Sequence, residues 1–265
     1  MTNEFAWFLG WLLSDGSITV PKYKKKGDET HLQFCIHHKD REILDKIKTI
    51  LNTRAKVHVY PHCKSPQSKL RIYDRKDIVK NYANIKTEIP VDIAGFERHF
   101  MRGLVDGDGC LHQRKNRDSF QIQFINAEEN IVEWFSKTLH EKVFVPYKKP
   151  SFKKKDNLYY ISWEGRFARI IAWYLYHGNI EHMSLQRKLD YYHQHVLNNT
   201  VQKNEKDLLA AAKCNLTDNK IHMNVPKTQS LEWCHIIQNL YPYNTTPVPL
   251  NKGQGKYYAL HISEY

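Results

Sequence analysis

Apolar positions near the start of the chain follow a helical period and stop at an Asp-Gly pair. The first such segment is residues 8–16, FLGWLLSDG. A second segment of the same kind, MRGLVDGDG, covers residues 101–109, and the two pairs, which begin at Asp15 and Asp108, lie 93 positions apart. A pattern that recurs at such a spacing indicates an internal duplication.

Strand-like alternation follows each of these segments, and helical periodicity then returns. Strands are predicted over residues 17–23, 31–36, 55–60, 69–73, 110–114, 120–125, 142–147 and 158–163. Helices are predicted behind Asp40, behind Asn126 or Asn130, and over residues 76–82 and 166–176. The order in each half is therefore αββαββα. We predict an α+β fold in which one face of each antiparallel sheet packs on helices and the other faces water.

The predicted domain organisation is two pseudo-symmetric halves and an extension. The halves are residues 1–95 and 96–199, with the two Asp-Gly helices packed at the centre. Residues 200–265 match neither half. There the sequence predicts a helix over 205–213, a strand over 257–262 and a Pro-rich turn, which contains Pro242, Pro247 and Pro249.

Composition narrows the class of protein. The chain carries a formal charge of +12 and is 41% hydrophobic, so we expect a folded protein with a polyanionic partner. Its five cysteines are odd in number and have no C-x-x-C spacing, which predicts reduced thiols and an intracellular location. The N-terminal apolar run is short and lacks a basic flank, so we expect neither a signal peptide nor a membrane partner.

Small residues one turn apart mark one face of each Asp-Gly helix. Gly10 and Ser14 form this pair in the first helix, and Gly103 and Gly107 in the second. Without bulky side chains, two helices can pack backbone against backbone. The glycines that follow the aspartates, Gly16 and Gly109, are expected in the left-handed conformation that ends a helix.

Close packing of these helices brings two negative charges together. Asp15 and Asp108 are then expected at adjacent helix C-termini, where like charges and helix dipoles make both carboxylates unfavourable. A divalent cation relieves that repulsion. Carboxylate oxygens favour Mg²⁺ as cofactor, with Mn²⁺ as a substitute, over zinc.

These features resemble the single-chain, two-motif LAGLIDADG homing endonucleases over residues 3–197. The resemblance implies two sheets that form a saddle over double-stranded DNA, with the motif helices at a pseudo-twofold axis. It implies that a monomer cuts one phosphodiester on each strand of a long asymmetric site, and that its gene lies within an intron. Two residues depart from the pattern. Leu13 replaces an aspartate, and Arg102 replaces a small residue and is expected to face solvent or DNA.

The resemblance also implies roles for particular residues. Asp15 and Asp108 would bind metal, and Gln33 and Gln123 would arrange water. Supporting lysines near the scissile phosphates are expected at Lys86 and Lys188. We predict DNA contacts from basic turns and from alternating strand residues: Lys22, Lys24, Lys26, His31, Lys69, Arg71, Arg114, Arg117, Gln121, Lys148, Lys153 and Tyr159.

Two alternative functions use the same fold without DNA cleavage. One is a group I intron maturase, which binds intron RNA, alone or as a second activity. The other is a DNA-binding regulator. Both motif aspartates are present, which favours the endonuclease over a protein that only binds. The basic turns, finally, could be ordinary solvated loops rather than phosphate contacts.

Overall fold

The computed structural model describes residues 1–20, 29–61, 65–113, 120–143, 145–178 and 180–197, together with four strands between residues 216 and 264. The first half contains α1 (Asn3–Ser14), β1 (Gly16–Thr19), β2 (His31–His37), α2 (Glu42–Leu51), β3 (Val57–Tyr60), β4 (Gln67–Ile72) and α3 (Lys76–Asn81). The second half contains α4 (Glu97–Asp108), β5 (Gly109–Gln113), β6 (Phe120–Asn126), α5 (Glu129–Val143), β7 (Ser151–Lys153), β8 (Leu158–Glu164) and α6 (Arg166–Tyr176), followed by α7 (Gln186–Tyr192). The predicted order αββαββα is confirmed in both halves.

Each half builds one antiparallel sheet. The strand orders are β1-β2-β4-β3 and β5-β6-β8-β7, so the same topology occurs twice. Burial alternates along the strands. In β2, for example, Leu32, Phe34 and Ile36 are buried against the helices, and the residues between them point the other way. The alternation predicted for a sheet with one core face and one outward face is therefore confirmed.

One predicted strand, over residues 142–147, is wrong. Helix α5 continues to Val143, and the edge strand β7 begins only at Ser151. The alternating apolar residues Val143 and Val145 are both buried, one at the helix end and one in the connection that follows. Their alternate spacing resembled that of a strand, although one residue is buried at the end of a helix and the other in a loop.

The C-terminal extension contains a third antiparallel sheet with β9 (Leu216–Thr217), β10 (Lys220–Pro226), β11 (Tyr243–Pro249) and β12 (Tyr257–Glu264). Its order, β9-β10-β12-β11, repeats that of the two halves. Pro247 and Pro249 lie in β11 rather than in the predicted turn. An edge strand tolerates them because a proline there loses no ladder hydrogen bond on its free side. Pro242 and the predicted helix over 205–213 lie outside the described residues.

No helix in the described part of the chain combines the length and apolar character of a membrane span.

Candidate functional site

Helices α1 and α4 touch backbone to backbone at two glycines. A Cβ on Gly10 would lie 2.2 Å from the carbonyl oxygen of Phe100, and a Cβ on Gly103 would lie 2.1 Å from the carbonyl oxygen of Trp7. No side chain fits at such distances, and the opposing atoms are main-chain atoms that cannot move aside. The central contact predicted from the small residues is confirmed.

Gly16 and Gly109 are required for a different reason from the one predicted. Neither has a positive φ; the described glycines that do are Gly95, Gly165 and Gly178. A Cβ on Gly16 would lie 2.7 Å from Leu12 Cα, and one on Gly109 would lie 2.5 Å from the Val105 carbonyl oxygen. The expected left-handed ends are therefore wrong. Glycine is needed because each first strand turns back tightly against its own helix.

The helix contact brings the two motif carboxylates to one place. Asp15 caps the C-terminus of α1, with its N–H donating to the Trp11 carbonyl, and Asp108 is the last residue of α4. A Cβ on Gly107 would lie 2.0 Å from Ser14 Oγ and 3.3 Å from Asp15 Oδ2. The Asp15 carboxylate thus reaches across to the end of the partner helix, while its residue stays open to solvent.

The environment of the site disfavours negative charge. The pKa of Asp108 is raised to about 6, mainly because protein displaces water around it and secondly because Asp15 repels it. The pKa of Asp15 is also raised by loss of water, and the charges of Lys188 and Lys86 partly oppose that effect. Two neighbouring carboxylates that repel each other, and that have lost part of their hydration, attract a cation.

The donor set fits a hard divalent cation that completes its shell from the substrate. Among the described residues no group of three or more His, Cys, Asp or Glu side chains could hold a metal ion. Asp15 and Asp108 therefore supply two carboxylates and no closed cage. Mg²⁺ is commonly held in this way, by one or two carboxylates together with water and phosphate oxygens.

Both predicted lysines lie at the ends of the motif helices. Lys86 Nζ donates to the carbonyl oxygens of Leu13 and, at 2.9 Å, Ser14. Burial lowers the pKa of Lys86, and the charges of Asp108 and Asp15 oppose that shift. A lysine at this position satisfies exposed helix carbonyls and offsets the negative end of the dipole.

Lys188 has the same relation to α4. Its Nζ donates to the carbonyl oxygens of Val105, Asp106 (2.8 Å) and Gly109 (2.7 Å). Burial lowers its pKa to about 8, opposed chiefly by Asp106. Both lysines are thus held by main-chain carbonyls beside the carboxylates, and their contact with phosphate stays a prediction.

Gln33 and Gln123 occupy matching positions on the outward faces of the two sheets. Gln33 lies opposite Ser17 and Gln123 opposite Cys110 in the strand register. Their neighbours on the other side differ, because Gln33 faces Arg71 and Gln123 faces Ser162. Arg71 Nε donates to Gln33 Oε1 at 2.9 Å.

The other predicted DNA contacts fall into groups. His31, Lys69 and Arg71 share the outward face of the first sheet. Lys148 and Lys153 are exposed near the second sheet, where Lys148 Nζ donates to the Ser162 carbonyl and Lys153 pairs with Asp156. The remaining basic residues lie outside the described part of the chain: Lys22, Lys24, Lys26, Arg114 and Arg117.

Two predicted contacts in the second half need correction. Tyr159 lies opposite the buried Asn126 and packs against the core, so it belongs to the inner face of the sheet. Strand alternation places its neighbour Tyr160 on the outward face instead. Gln121 does face outward but is only 7% exposed.

Arg102 is buried rather than facing solvent or DNA. Its Nε donates to the Met183 carbonyl and its Nη1 to the Leu175 carbonyl, both at 2.9 Å. One turn further along α4, the buried Asp106 accepts from Trp7 Nε1 and Tyr176 OH and from the Leu185 N–H. The departure at Arg102 was visible in the sequence, but the carbonyl groups that accept its hydrogen bonds were not.

Asn126 is a site residue that the sequence reasoning missed. Its Nδ2 donates to Asp108 Oδ2 at 3.3 Å, and the residue is almost fully buried. The sequence offered it only as the start of a helix. The sequence feature that could have indicated it is its position on β6, three residues after the predicted site residue Gln123.

Two αββαββα repeats, joined at a glycine contact between helices that each end in an aspartate, define the two-motif LAGLIDADG fold. This chain has that fold. The structure of the LAGLIDADG homing endonuclease I-LtrWI bound to its target DNA is similar, with 11% identity, a TM-score of 0.51, and coverage of 78% of this chain and 92% of that one.

Two further structures are more distant. I-SmaMI, bound to uncleaved DNA with calcium ions, has 11% identity and a TM-score of 0.47 over 78% of this chain and 94% of its own. The N-terminal LAGLIDADG domain of DUF199/WhiA has 16% identity and a TM-score of 0.47 over 74% and 89%. At these scores neither bears on function. No protein-family model and no curated protein sequence matches the chain.

Proposed function

We propose that this protein is a homing endonuclease that hydrolyses one phosphodiester on each strand of a long, asymmetric double-stranded DNA site. The observation that carries the proposal is the pairing of Asp15 and Asp108 at the contact of α1 and α4, where the protein raises the pKa of both carboxylates. A structural cap needs no such pair. Two acids held together against their own repulsion suit a site that binds divalent metal.

In the proposed reaction Asp15 and Asp108 hold the cation, which we expect to be Mg²⁺, with Mn²⁺ as a substitute. The ion supplies Lewis-acid polarisation of the scissile phosphate. Lys86 and Lys188 keep the two helix ends in place through the carbonyls they bind. Gln33 and Gln123, one on each outward sheet face, are expected to orient the attacking water, each for one strand of the DNA.

The two sheets form the proposed DNA surface. Side chains that alternate along β2 and β4 project from the face opposite the core, which is the arrangement that can read base edges in a major groove. Lys69, Arg71 and Lys148 supply charge for phosphates, so binding should weaken steeply as salt rises. The two halves carry different outward residues, and one chain acting as a monomer can therefore address an asymmetric site.

The test uses the DNA that flanks the coding sequence in its source genome, joined without the intervening sequence. We expect Mg²⁺ to support a double-strand break at one position with short 3′ overhangs, and chelation to stop cleavage while binding persists. Ca²⁺ should support binding with little turnover. Full activity in excess chelator would remove the metal from the proposal.

The maturase alternative is decided by the same preparation. If the protein leaves that DNA intact but binds the matching precursor RNA and accelerates its splicing, the activity is that of a maturase. If it binds the DNA specifically in Mg²⁺ and never cuts it, the regulator alternative stands.

A further inference from the structure

The two halves differ at one position beneath the carboxylates. Phe34 lies opposite Gly16, and Phe124 lies opposite Gly109, so these pairs fix the correspondence of β2 and β6. Two residues further along, the first half has Ile36 and the second has Asn126. Both are buried on the core face, at 7% and 8% exposure. The same place thus holds a hydrocarbon in one half and an amide in the other.

The Asn126 amide is held in one orientation. Its Oδ1 accepts from the Glu128 N–H at 3.0 Å, at the start of α5. Because an N–H can only donate, the oxygen must face Glu128, and the NH₂ group is left to face Asp108. The bond to Asp108 Oδ2 then fixes one carboxylate oxygen and leaves the other directed elsewhere. The amide carries no charge, so it orients the carboxylate without neutralising it.

The first half has a side-chain cap just after β2, at the 3-10 turn His38–Asp40, but the capping residue lies on the wrong face to hold a carboxylate. There His37 Nδ1 accepts from the Lys39 N–H. His37 is one residue beyond Ile36, and successive side chains on a strand point to opposite faces. His37 is accordingly exposed on the outward side. Ile36, which is on the correct side, has no hydrogen-bonding group to offer Asp15.

We infer that Asn126 is a positioning residue that orients Asp108 toward the divalent cation, and that its absence from the first half makes the two strand cleavages unequal. This inference rests on the proposed function. The half whose carboxylate is oriented in advance cuts its strand first, and the half with the unrestrained Asp15 cuts second. The duplex therefore passes through a nicked intermediate of one polarity.

The experiment separates positioning from helix capping. Asn126→Ser keeps an acceptor for the Glu128 N–H, since serine is a good N-cap, but is too short to hold Asp108 as well. Asn126→Ala loses both contacts. Asn130→Ala is the matched control, because Asn130 is a nearby asparagine in the first turn of α5 and donates instead to the Thr87 carbonyl at 2.7 Å.

The first readout is Mn²⁺ binding to the protein alone, followed by electron paramagnetic resonance of the free ion. Loss of a residue that orients a metal ligand commonly weakens binding by about tenfold or more. We expect this of both Asn126→Ser and Asn126→Ala, while Asn130→Ala binds as the wild type does. If Asn126→Ser restores the stability lost in Asn126→Ala and also restores Mn²⁺ affinity, Asn126 only caps the helix and the inference is overturned.

The second readout is the order of cleavage, on the DNA site recovered with the wild-type protein and labelled on each strand. We expect one strand to be cut first, and Asn126→Ser to slow that first cut by about tenfold and to reduce the bias between strands. Equal rates on both strands in the wild type would overturn the inference and leave the endonuclease intact. If the wild type cuts no DNA at all, the proposed function fails, and the Mn²⁺ comparison still decides whether Asn126 orients Asp108.

Discussion

The two halves of this protein have the same backbone fold but differ in the side chains that pack around their motif helices. At the helix contact they are alike, with Gly10 in one half and Gly103 in the other, each facing a main-chain oxygen. One turn later they diverge. Leu13 is buried among apolar residues, whereas its counterpart Asp106 is buried with three hydrogen-bond donors.

The same divergence occurs further up the helices. Leu9 in α1 corresponds to Arg102 in α4, and both are fully buried. The comparison teaches that contact between two backbones restricts the residue type, because nothing larger than hydrogen fits. Elsewhere in the core a side chain needs only to fill the available volume and to have all its polar groups hydrogen-bonded. A hydrocarbon side chain and a fully hydrogen-bonded polar side chain can therefore occupy equivalent positions.

The largest expected loss of stability is at the helix contact, where the two halves have the same residue. Gly103→Ala should lower the free energy of unfolding by more than about 3 kcal/mol, because the new methyl would meet the Trp7 carbonyl and overpack a contact that cannot relax. Gly10→Ala should cost as much. Denaturant unfolding measures both.

A matched control lies one turn away. Gly107→Ala meets the Ser14 side chain, so adding Ser14→Gly should recover much of the loss. A Gly103→Ala variant as stable as the wild type would mean that the two helix backbones do not touch at this glycine.

The next effect is at the position where the halves differ. Asp106→Leu gives α4 the residue of α1 but strands the donors of Trp7, Tyr176 and Leu185. Each buried unsatisfied donor costs about 1–3 kcal/mol, so we expect a loss of at least about 3 kcal/mol in thermal or denaturant unfolding. Asp106→Asn, which keeps an acceptor, should cost less. If Asp106→Leu is neutral, the polar network does not stabilise the second half.

A smaller effect is expected in how the stability of the protein depends on pH. An aspartate titrates near 3.9 in an unfolded chain, and Asp108 titrates at about 6 in the folded protein. The folded state therefore holds a proton between those values, and its stability relative to Asp108→Asn should fall as pH rises from about 4 to about 6. The difference from Asp108→Asn is needed because His99, with a pKa of about 4, acts in the opposite direction.

Two perturbations sharpen that measurement. Asp15→Asn should lower the pKa of Asp108, since the Asp15 charge helps to raise it. Saturating Mg²⁺ should remove the fall in stability. The pKa of Asp108 can be followed through the NMR chemical shift of its carboxyl carbon. A pKa near 4 in the metal-free protein would contradict both expectations.

The smallest effect is on DNA affinity. Register places Lys69 on the outward face opposite Cys35, and Tyr160 in the matching place opposite Ile125. Lys69→Ala should reduce the slope of binding against salt by about one on any duplex, and Tyr160→Lys should raise it by about one. Lys137→Ala, which removes a lysine paired with Glu133, is the control. Equal slopes of DNA binding against salt in all variants would mean that these sheet faces do not contact DNA.

The repeated fold could be predicted from sequence because periodicity and the small-residue spacing are local patterns. The α1–α4 contact followed from the pairs of small residues one turn apart, Gly10 with Ser14 and Gly103 with Gly107. The hydrogen bonds around the site could not be predicted, because they join residues distant in sequence. Asp106 accepts from Trp7 and Leu185, and Lys188, which was expected near the site, donates to carbonyls of α4. Tyr159 was placed on the wrong face because two adjacent tyrosines, Tyr159 and Tyr160, do not show from sequence alone which of them faces outward.

In the proposed endonuclease, Asp15 and Asp108 act together as one metal site. The direct measurement is cleavage and binding of the same DNA by Asp15→Asn and Asp108→Asn, side by side. We expect either change to abolish the double-strand break and to leave affinity within about tenfold of the wild type, since phosphate contacts dominate binding. A variant that still cuts both strands at the wild-type rate would contradict it.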